Sequence, residues 1–204
     1  MVESRPLTAL SLVCTLTKSP AESSSQVLSD EILDAFAAIG VAGAAVRVVD
    51  HDVAPGVQID MGDGDAWPGI REQVMGADIL ALVTPVWLGH PSSVAQRVLE
   101  RLDAELSESD DQGRLLTYGK VAVVGVVGNE DGAHHIGAEL FQALNDVGFT
   151  LAAGAQTYWV GEAMGGTDYK DLDPKPDNVA STRTMAANAV HLARLLRQSE
   201  YPGS

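Results

Sequence analysis

The sequence is short of several residue types, and each shortage excludes a class of protein. Cys14 is the only cysteine among 204 residues. No disulfide can therefore form within the chain, which suits a reducing compartment. Thirteen basic residues stand against twenty-eight acidic ones, which gives a formal charge of −15. Such a chain repels nucleic-acid phosphates and anionic lipids, so neither is expected as its main partner.

Long apolar runs and glycine-rich phosphate motifs are also missing. No stretch reaches the length of a membrane span, and the N-terminus lacks the basic and apolar regions of a signal peptide. We therefore expect a cytoplasmic protein without membrane insertion. The first strand-to-helix turn carries neither the G-x-G-x-x-G fingerprint of dinucleotide-binding folds nor a P-loop. A mononucleotide phosphate stays open as a ligand.

Apolar residues make up 46% of the chain, which is enough for a buried core. Their spacing alternates between a strand pattern and a helix pattern. It predicts strands over 7–15, 44–49, 78–84, 120–127 and 149–158, and helices over 24–39, 66–76, 92–106, 134–147 and 178–198. Strands that alternate with helices predict a parallel sheet covered on both faces. We expect a single domain over residues 1–204.

Ligands of such sheets bind beyond the carboxyl ends of the strands, so the loops after the first, third and fourth strands are the candidates. The first of these loops is rich in hydroxyl groups and contains no glycine. A helix N-terminus offers unpaired N–H groups, and hydroxyls add further donors, so the loop is suited to a terminal phosphate. The alternative is that Ser23–Ser25 only cap the helix and that Lys18 is a solvated side chain.

The loops after the third and fourth strands carry different groups. Trp87 lies where an aromatic side chain stacks on a flat ring or, alternatively, folds over the core as a lid. Gly128 and Gly132 permit backbone amides to face a ligand, and the side chain of Asn129 offers the same. Glu130 is either a contact or a turn residue.

The histidines and Cys14 give little indication of a metal or of nucleophilic catalysis. His134 and His135 are adjacent, so on a helix their side chains point about 100° apart. Without a third ligand at a useful spacing, we predict no metal site. The G-x-S-x-G motif is absent, and Cys14 is expected to be buried. No catalytic side chain is assigned; His90 or His134 is a candidate proton donor or a structural residue.

Taken together, the three loops resemble those of the flavodoxin-like superfamily, and within it the NAD(P)H-dependent FMN reductase and multimeric flavodoxin proteins. The resemblance rests on CTLTKSPAESSSQVL after the first strand, TPVWLGHPSS after the third and GNEDGAHHIGAELFQAL after the fourth. It extends from about Leu7 to Gln198. It implies an α/β fold with a doubly wound five-stranded parallel sheet in the order 2-1-3-4-5.

By this resemblance, the first loop binds the phosphate of FMN and the other two hold its ring system. The residues carried over are Thr15, Thr17, Lys18, Ser23, Ser24 and Ser25 for the phosphate, and Pro85, Val86, Trp87, Leu88, Gly89, Gly128, Asn129, Glu130 and Gly132 for the ring. The usual Asn-Thr pair of the family is replaced here by two serines. The third loop is also more acidic than expected beside a flavin that becomes anionic on reduction.

The function implied is that of an FMN-dependent oxidoreductase. It would transfer hydride from NADPH or NADH through bound FMN to a quinone or another small oxidised acceptor. One alternative is a flavodoxin-type electron carrier that docks to a redox partner protein through its acidic charge. Another is a binding protein of the same fold without a cofactor. In the resembling family, loops such as Gly161–Asp177, with Met164 and Tyr169, often reach a neighbouring subunit, so a homodimer or homotetramer is expected.

Overall fold

The computed structural model describes residues 5–163, 165–176 and 179–203. The strands are β1 (Thr8–Val13), β2 (Ala42–Arg47), β3 (Ile79–Trp87), β4 (His90–Pro91), β5 (Val121–Gly128) and β6 (Thr150–Val160). The α-helices are α1 (Ser24–Ala37), α2 (Trp67–Gly76), α3 (Ser93–Leu102), α4 (Ala133–Asp146) and α5 (Val179–Gln198). Short 3-10 turns cover Val48–Asp50, Asp103–Ser107 and Tyr169–Asp171.

Five of these strands form a parallel sheet in the order β2-β1-β3-β5-β6. Counted as the sequence predicted them, this is the order 2-1-3-4-5, and the flavodoxin-like fold class is confirmed. The addition is β4, which pairs antiparallel with the end of β3. The sequence analysis placed β4 in a loop because a strand of two residues has no periodicity to detect.

Helices cover both faces of the sheet. On one face, α1 and α5 bury side chains such as Phe36 and Met185; on the other, α2, α3 and α4 bury side chains such as Trp67 and Leu140. The central strands β3 and β5 lie between these two layers, which explains why they are apolar on both sides. Within the described ranges, no helix is long and apolar enough to cross a membrane.

Ser92 joins the ends of two central strands to the start of α3. It is the N-cap of α3: its Oγ accepts the N–H of Ala95 at 3.1 Å. The same hydroxyl donates to the carbonyl oxygen of Cys14 at 2.5 Å, and the N–H of Ser92 donates to Oγ1 of Thr84 at 3.0 Å. Cys14 is buried, as predicted, and burial raises the pKa of its thiol. The ends of β1 and β3 are therefore fixed beside each other.

A buried arginine holds the acidic loop that precedes α2. Nη1 of Arg101 lies 2.8 Å from Oδ2 of Asp65, and neither side chain is more than 1% exposed. The guanidinium also donates to the carbonyl oxygens of Ala54, Gln58 and Ile59. Burial alone raises the pKa of Asp65, but hydrogen bonds from backbone N–H groups and from Arg101 outweigh it and lower that pKa to about 2. The loop is thus organised around one ion pair.

We predict that Arg101→Met destabilises the protein by about 3–5 kcal/mol, because it leaves the carboxylate of Asp65 buried without its cation. The matched control is Arg97→Met, one turn earlier in α3. Arg97 donates to the carbonyl oxygen of Val53 at 2.8 Å from a side chain that is 36% exposed. Its loss is expected to cost about 1 kcal/mol. Urea unfolding measures the free energy of unfolding of both variants. Equal losses of stability would contradict the structural role assigned to the Arg101–Asp65 ion pair.

Candidate functional site

A cleft of about 570 Å³ opens at the edge of the sheet where the carboxyl ends of β1, β3 and β5 meet. This volume lies in the range of roughly 300–1,000 Å³ that is typical of small-molecule sites. The three loops predicted from the sequence form much of its wall. The predicted residues that line it are Thr15, Thr17, Ser23, Ser24, Ser25, Pro85, Val86, Trp87, Gly128, Asn129 and Glu130.

The start of α1 forms one end of the cleft. Ser23 occupies the N-cap position with an extended backbone, but its side chain makes no capping hydrogen bond. The first N–H groups of a helix have no partner inside the helix, and here the N-cap side chain does not supply one. Ser23 and Ser25 are buried, and Oγ of Ser24 accepts the N–H of Lys170 at 3.3 Å. Capping alone therefore does not account for Ser23.

Lys18, which was predicted at the phosphate end, is exposed and lies outside the cleft lining. The turn that contains it is tied to Asp50, whose carboxylate accepts the N–H and the hydroxyl of Ser19 at 2.8 and 2.6 Å. The cation that lines the cleft is Lys170. A hydrogen bond to Asp171 is the main cause that raises the pKa of the Lys170 ammonium. This lysine comes from a part of the chain far from Lys18, and its ammonium is paired with the carboxylates of Asp168 and Asp171.

The β3–β4 hairpin forms a second wall. Trp87 pairs with His90 across it, and Leu88 and Gly89 form a two-residue turn with φ angles of 51° and 78°. Positive φ at both positions is the type I′ geometry, which for a leucine costs on the order of 1 kcal/mol. Oε1 of Glu130 accepts the N–H of Leu88 at 3.0 Å and holds this turn. Trp87 lines the cleft, whereas the two turn residues, predicted as contacts, lie outside the lining.

The loop after β5 packs directly against the hairpin. A Cβ added to Gly132, where φ is 135°, would lie 2.8 Å from the Cα of Gly89. A Cβ added to Gly128 would lie 2.8 Å from the Cβ of Val86. Both glycines are therefore needed for the two loops to touch. Gly132 was predicted as a ligand contact, but it lies outside the cleft lining, and its place in the structure is explained by packing.

A segment after β6 supplies a further wall. The ring of Tyr169 is buried, and its centroid lies 5.3 Å from that of Trp159. The hydroxyl of Tyr169 donates to Oε2 of Glu31 at 2.5 Å. Nδ2 of Asn129 donates to Oδ1 of Asp168 at 3.1 Å, which connects this segment to the loop after β5. The segment thus closes over the cleft of its own chain.

The sequence analysis did not assign several residues of the lining, namely Leu16, Glu22, Val127, Trp159, Ala163, Gly165, Asp168, Tyr169 and Lys170. Trp159 was not assigned because it lies between the predicted fifth strand, which ends at residue 158, and the predicted loop, which begins at Gly161; in the structure it belongs to β6. The long loop Gly161–Asp177 and Tyr169 within it were predicted to contact a neighbouring subunit and were not predicted to line the cleft. Met164 and Asp177 lie outside the described residues, and contact with a neighbouring subunit stays a prediction.

Histidines lie beside the hairpin as well. His90 on β4 comes close to His135 and Glu139 on α4, with the two imidazole centroids 5.2 Å apart. His134 packs instead against Tyr158, with centroids 5.0 Å apart. The sequence analysis excluded a metal because no third ligand stood at a useful spacing. In the folded chain the hairpin brings His90 to α4, so His135 has two further potential ligands, His90 and Glu139, close to it.

Comparison with known proteins identifies the family of this chain. Residues 11–165 match the family of NADPH-dependent FMN reductases. The chain is 35% identical, over an alignment of 208 positions, to the 8-demethyl-8-aminoriboflavin-5'-phosphate synthase of Streptomyces davaonensis, covering 96% of this chain and 80% of that one. The crystal structure of RosB with bound 8-demethyl-8-formylriboflavin-5'-phosphate is similar with a TM-score of 0.88 at 33% identity, covering 96% of this chain and 82% of that one.

A further relative is much longer than this chain. The chain is 37% identical over 201 positions to a protein of Mycobacterium bovis named divalent metal cation transporter MntH, covering 94% of this chain and 29% of that protein. This chain spans less than a third of that protein, so the name of the longer protein does not describe this chain. The match over residues 11–165, together with the strand order and the cleft at the carboxyl edge, shows that the chain belongs to the NADPH-dependent FMN reductase family.

Proposed function

We propose that this chain is an FMN-dependent oxidoreductase that moves hydride from NADPH or NADH, through bound FMN, to a quinone or another small oxidised acceptor. The observation that carries the proposal is the cleft itself. It has an uncapped helix N-terminus with three serines at one end and an indole in its wall, in a chain of the FMN reductase family. FMN has the matching parts, a phosphate and a flat ring system.

The phosphate end fits a single phosphomonoester. N–H groups at the start of α1 carry the positive end of the helix dipole, and the hydroxyls of Thr15, Thr17 and Ser23–Ser25 line the same part of the cleft. Ser23 makes no capping bond that a phosphate would have to break. A glycine-free loop suffices here, because a monophosphate needs a concave set of donors and not a backbone stripped of side chains.

The remaining walls fit a flat aromatic ring. Pro85, Val86 and Trp87 from the hairpin lie on the cleft together with Gly128 and Asn129 from the next loop. An indole offers a face for stacking, and the side chain of Trp87 is 53% exposed and so available to a ligand. Leu88, Gly89 and Gly132 serve this wall indirectly, by holding the hairpin against the loop after β5.

When bound, FMN supplies the hydride chemistry, and the chain positions and surrounds it. The side chains of the cleft orient the ring and exclude water from its buried edge. The carboxylates of Glu130 and Asp168 are engaged in hydrogen bonds to Leu88 and Asn129. They are therefore structural links between loops, and the proposal assigns them no proton transfer.

A second candidate function follows from the names of two relatives. The Streptomyces davaonensis relative is a synthase of 8-demethyl-8-aminoriboflavin-5'-phosphate, and RosB was crystallised with an 8-formyl flavin phosphate. In this reading the same cleft holds FMN as a substrate whose 8-methyl group is altered. The two functions share a binding site and differ in whether the flavin leaves it chemically changed.

We predict that Ser23→Ala combined with Ser25→Ala raises the Kd for FMN at least about 10-fold, because each hydrogen bond to a charged group contributes about 1.5–3 kcal/mol. The control is Ser29→Ala, one turn further along α1. Ser29 is buried and its hydroxyl bonds to that of Ser11 at 2.7 Å. It is expected to lose stability but to keep the wild-type Kd. Quenching of flavin fluorescence measures the Kd of each variant. An unchanged Kd in the double variant would rule out this phosphate site.

Anaerobic mixing of the FMN-loaded protein with NADPH, and separately with NADH, tests the main proposal. We expect the visible absorbance of the flavin to bleach with at least one of them and to return when a quinone is added. Mass spectrometry of the flavin released after aerobic turnover then separates the two candidates. An unchanged FMN mass supports the oxidoreductase. Bound FMN that stays oxidised with both nicotinamides, or emerges altered at its 8-position, would refute it.

A further inference from the structure

We propose that His90, His135 and Glu139 form a binding site for a divalent transition-metal ion, here called the hairpin–α4 site. Oε1 of Glu139 lies 3.1 Å from Nε2 of His135 and 3.5 Å from Nδ1 of His90. The potential ligand atoms of all three residues lie within 4.8 Å of one another. Two imidazoles thus converge on one carboxylate oxygen.

The backbone sets this arrangement before any ion arrives. His135 and Glu139 are four residues apart on α4, so their side chains lie on the same face of the helix. His90 is fixed opposite Trp87 by the pairing of β3 with β4. The hairpin is itself held to the loop before α4 by the bond between Glu130 and the N–H of Leu88. The three ligands therefore come from two elements whose relative position is fixed.

The spacing of the ligand atoms suits a small cation. Zn²⁺ binds imidazole nitrogen at about 2.0–2.1 Å and carboxylate oxygen at about 2.0–2.2 Å, and a tetrahedron of that size has edges of roughly 3.3–3.4 Å. The two measured distances, 3.1 and 3.5 Å, lie close to such edges. The third pair, formed by the ligand nitrogens of His90 and His135, lies within 4.8 Å. The two side chains are 63% and 56% exposed, so their rings have room to turn toward a shared ion.

The chemistry of the donors selects the class of metal. Two imidazole nitrogens and one carboxylate oxygen suit Zn²⁺, Cu²⁺ or Ni²⁺, whereas Ca²⁺ and Mg²⁺ prefer oxygen ligands alone. The formal charge of −15 favours a cation over an anion at an exposed site. Three protein ligands leave the remaining positions to water. A bound ion would fasten the hairpin that carries Trp87 to α4, beside the cleft.

The alternative is that His90, His135 and Glu139 interact only with one another, without a metal, and this too can be tested. Without a metal, the same contacts are surface interactions between two imidazoles and the carboxylate of Glu139, and such contacts contribute little to stability. Such pairs need no metal and give no reason for Zn²⁺ to prefer these residues. The measurement that separates the two arrangements is the Kd for Zn²⁺, compared between variants of His90 or His135 and a variant of another exposed histidine.

The chain offers a matched control in His134. It is the immediate neighbour of His135, it is exposed, and its ring packs against Tyr158 and not toward Glu139. The tag-free 204-residue protein, stripped of metal by a chelator, is titrated with Zn²⁺ against a chromogenic indicator. We expect one Zn²⁺ per chain and a Kd that rises at least tenfold in His90→Gln, His135→Gln and Glu139→Gln. His134→Gln is expected to keep the wild-type value.

A second measurement guards against a folding defect in the variants. Saturating Zn²⁺ should raise the Tm of the wild type, because a ligand that binds only the folded state stabilises it. It should leave the Tm of the variant with all three substitutions unchanged, while circular dichroism shows that this variant is folded. Equal Kd values in the wild type and the triple variant, or an equal loss in His134→Gln, would overturn the site. Neither result bears on FMN turnover, so the oxidoreductase proposal is tested separately.

Discussion

The binding cleft depends on the open N-terminus of α1. Helices cover both faces of the sheet, and a cleft opens at its carboxyl edge, where parallel sheets bind their ligands. At that edge the N-cap of α1 is Ser23, whose side chain makes no capping hydrogen bond, and Ser23, Ser24 and Ser25 line the cleft. The first N–H groups of a helix have no partner inside the helix and can donate to an external acceptor. An anion is such an acceptor, and this is the physical reason for proposing a phosphate at the site.

The other walls are held by contacts between loops. The hairpin turn is fixed by Glu130, the close approach of Gly132 to Gly89 brings two loops together, and Asn129 ties the second of them to Asp168. Glu130, Asn129 and Asp168 are polar residues of the cleft lining, but the hydrogen bonds described here join one loop to another. The same hairpin brings His90 to α4. One supersecondary element therefore shapes both the cleft and the neighbouring cluster of imidazoles.

Much of this could be predicted from the sequence because the signals are local. The apolar run Val121–Gly128 indicates a central strand of the sheet, and the hydroxyl-rich turn after the first strand indicates one end of the cleft. The positions that were predicted wrongly or not at all depend on contacts between residues far apart in the sequence. Nothing near Lys18 in the chain indicates that Asp50 ties its turn away from the cleft, and nothing near Lys170 indicates that it lies beside Ser24. These positions follow from packing between distant segments, which periodicity does not report.

The central claim is that the phosphate is the part of the ligand that the chain recognises at α1. Calorimetric titration with FMN and with riboflavin, which lacks the phosphate, tests this most directly on one protein without mutation. The account predicts that FMN binds at least about 100-fold more tightly, since several hydrogen bonds to a charged group are lost with riboflavin. Equal Kd values for the two flavins would contradict it.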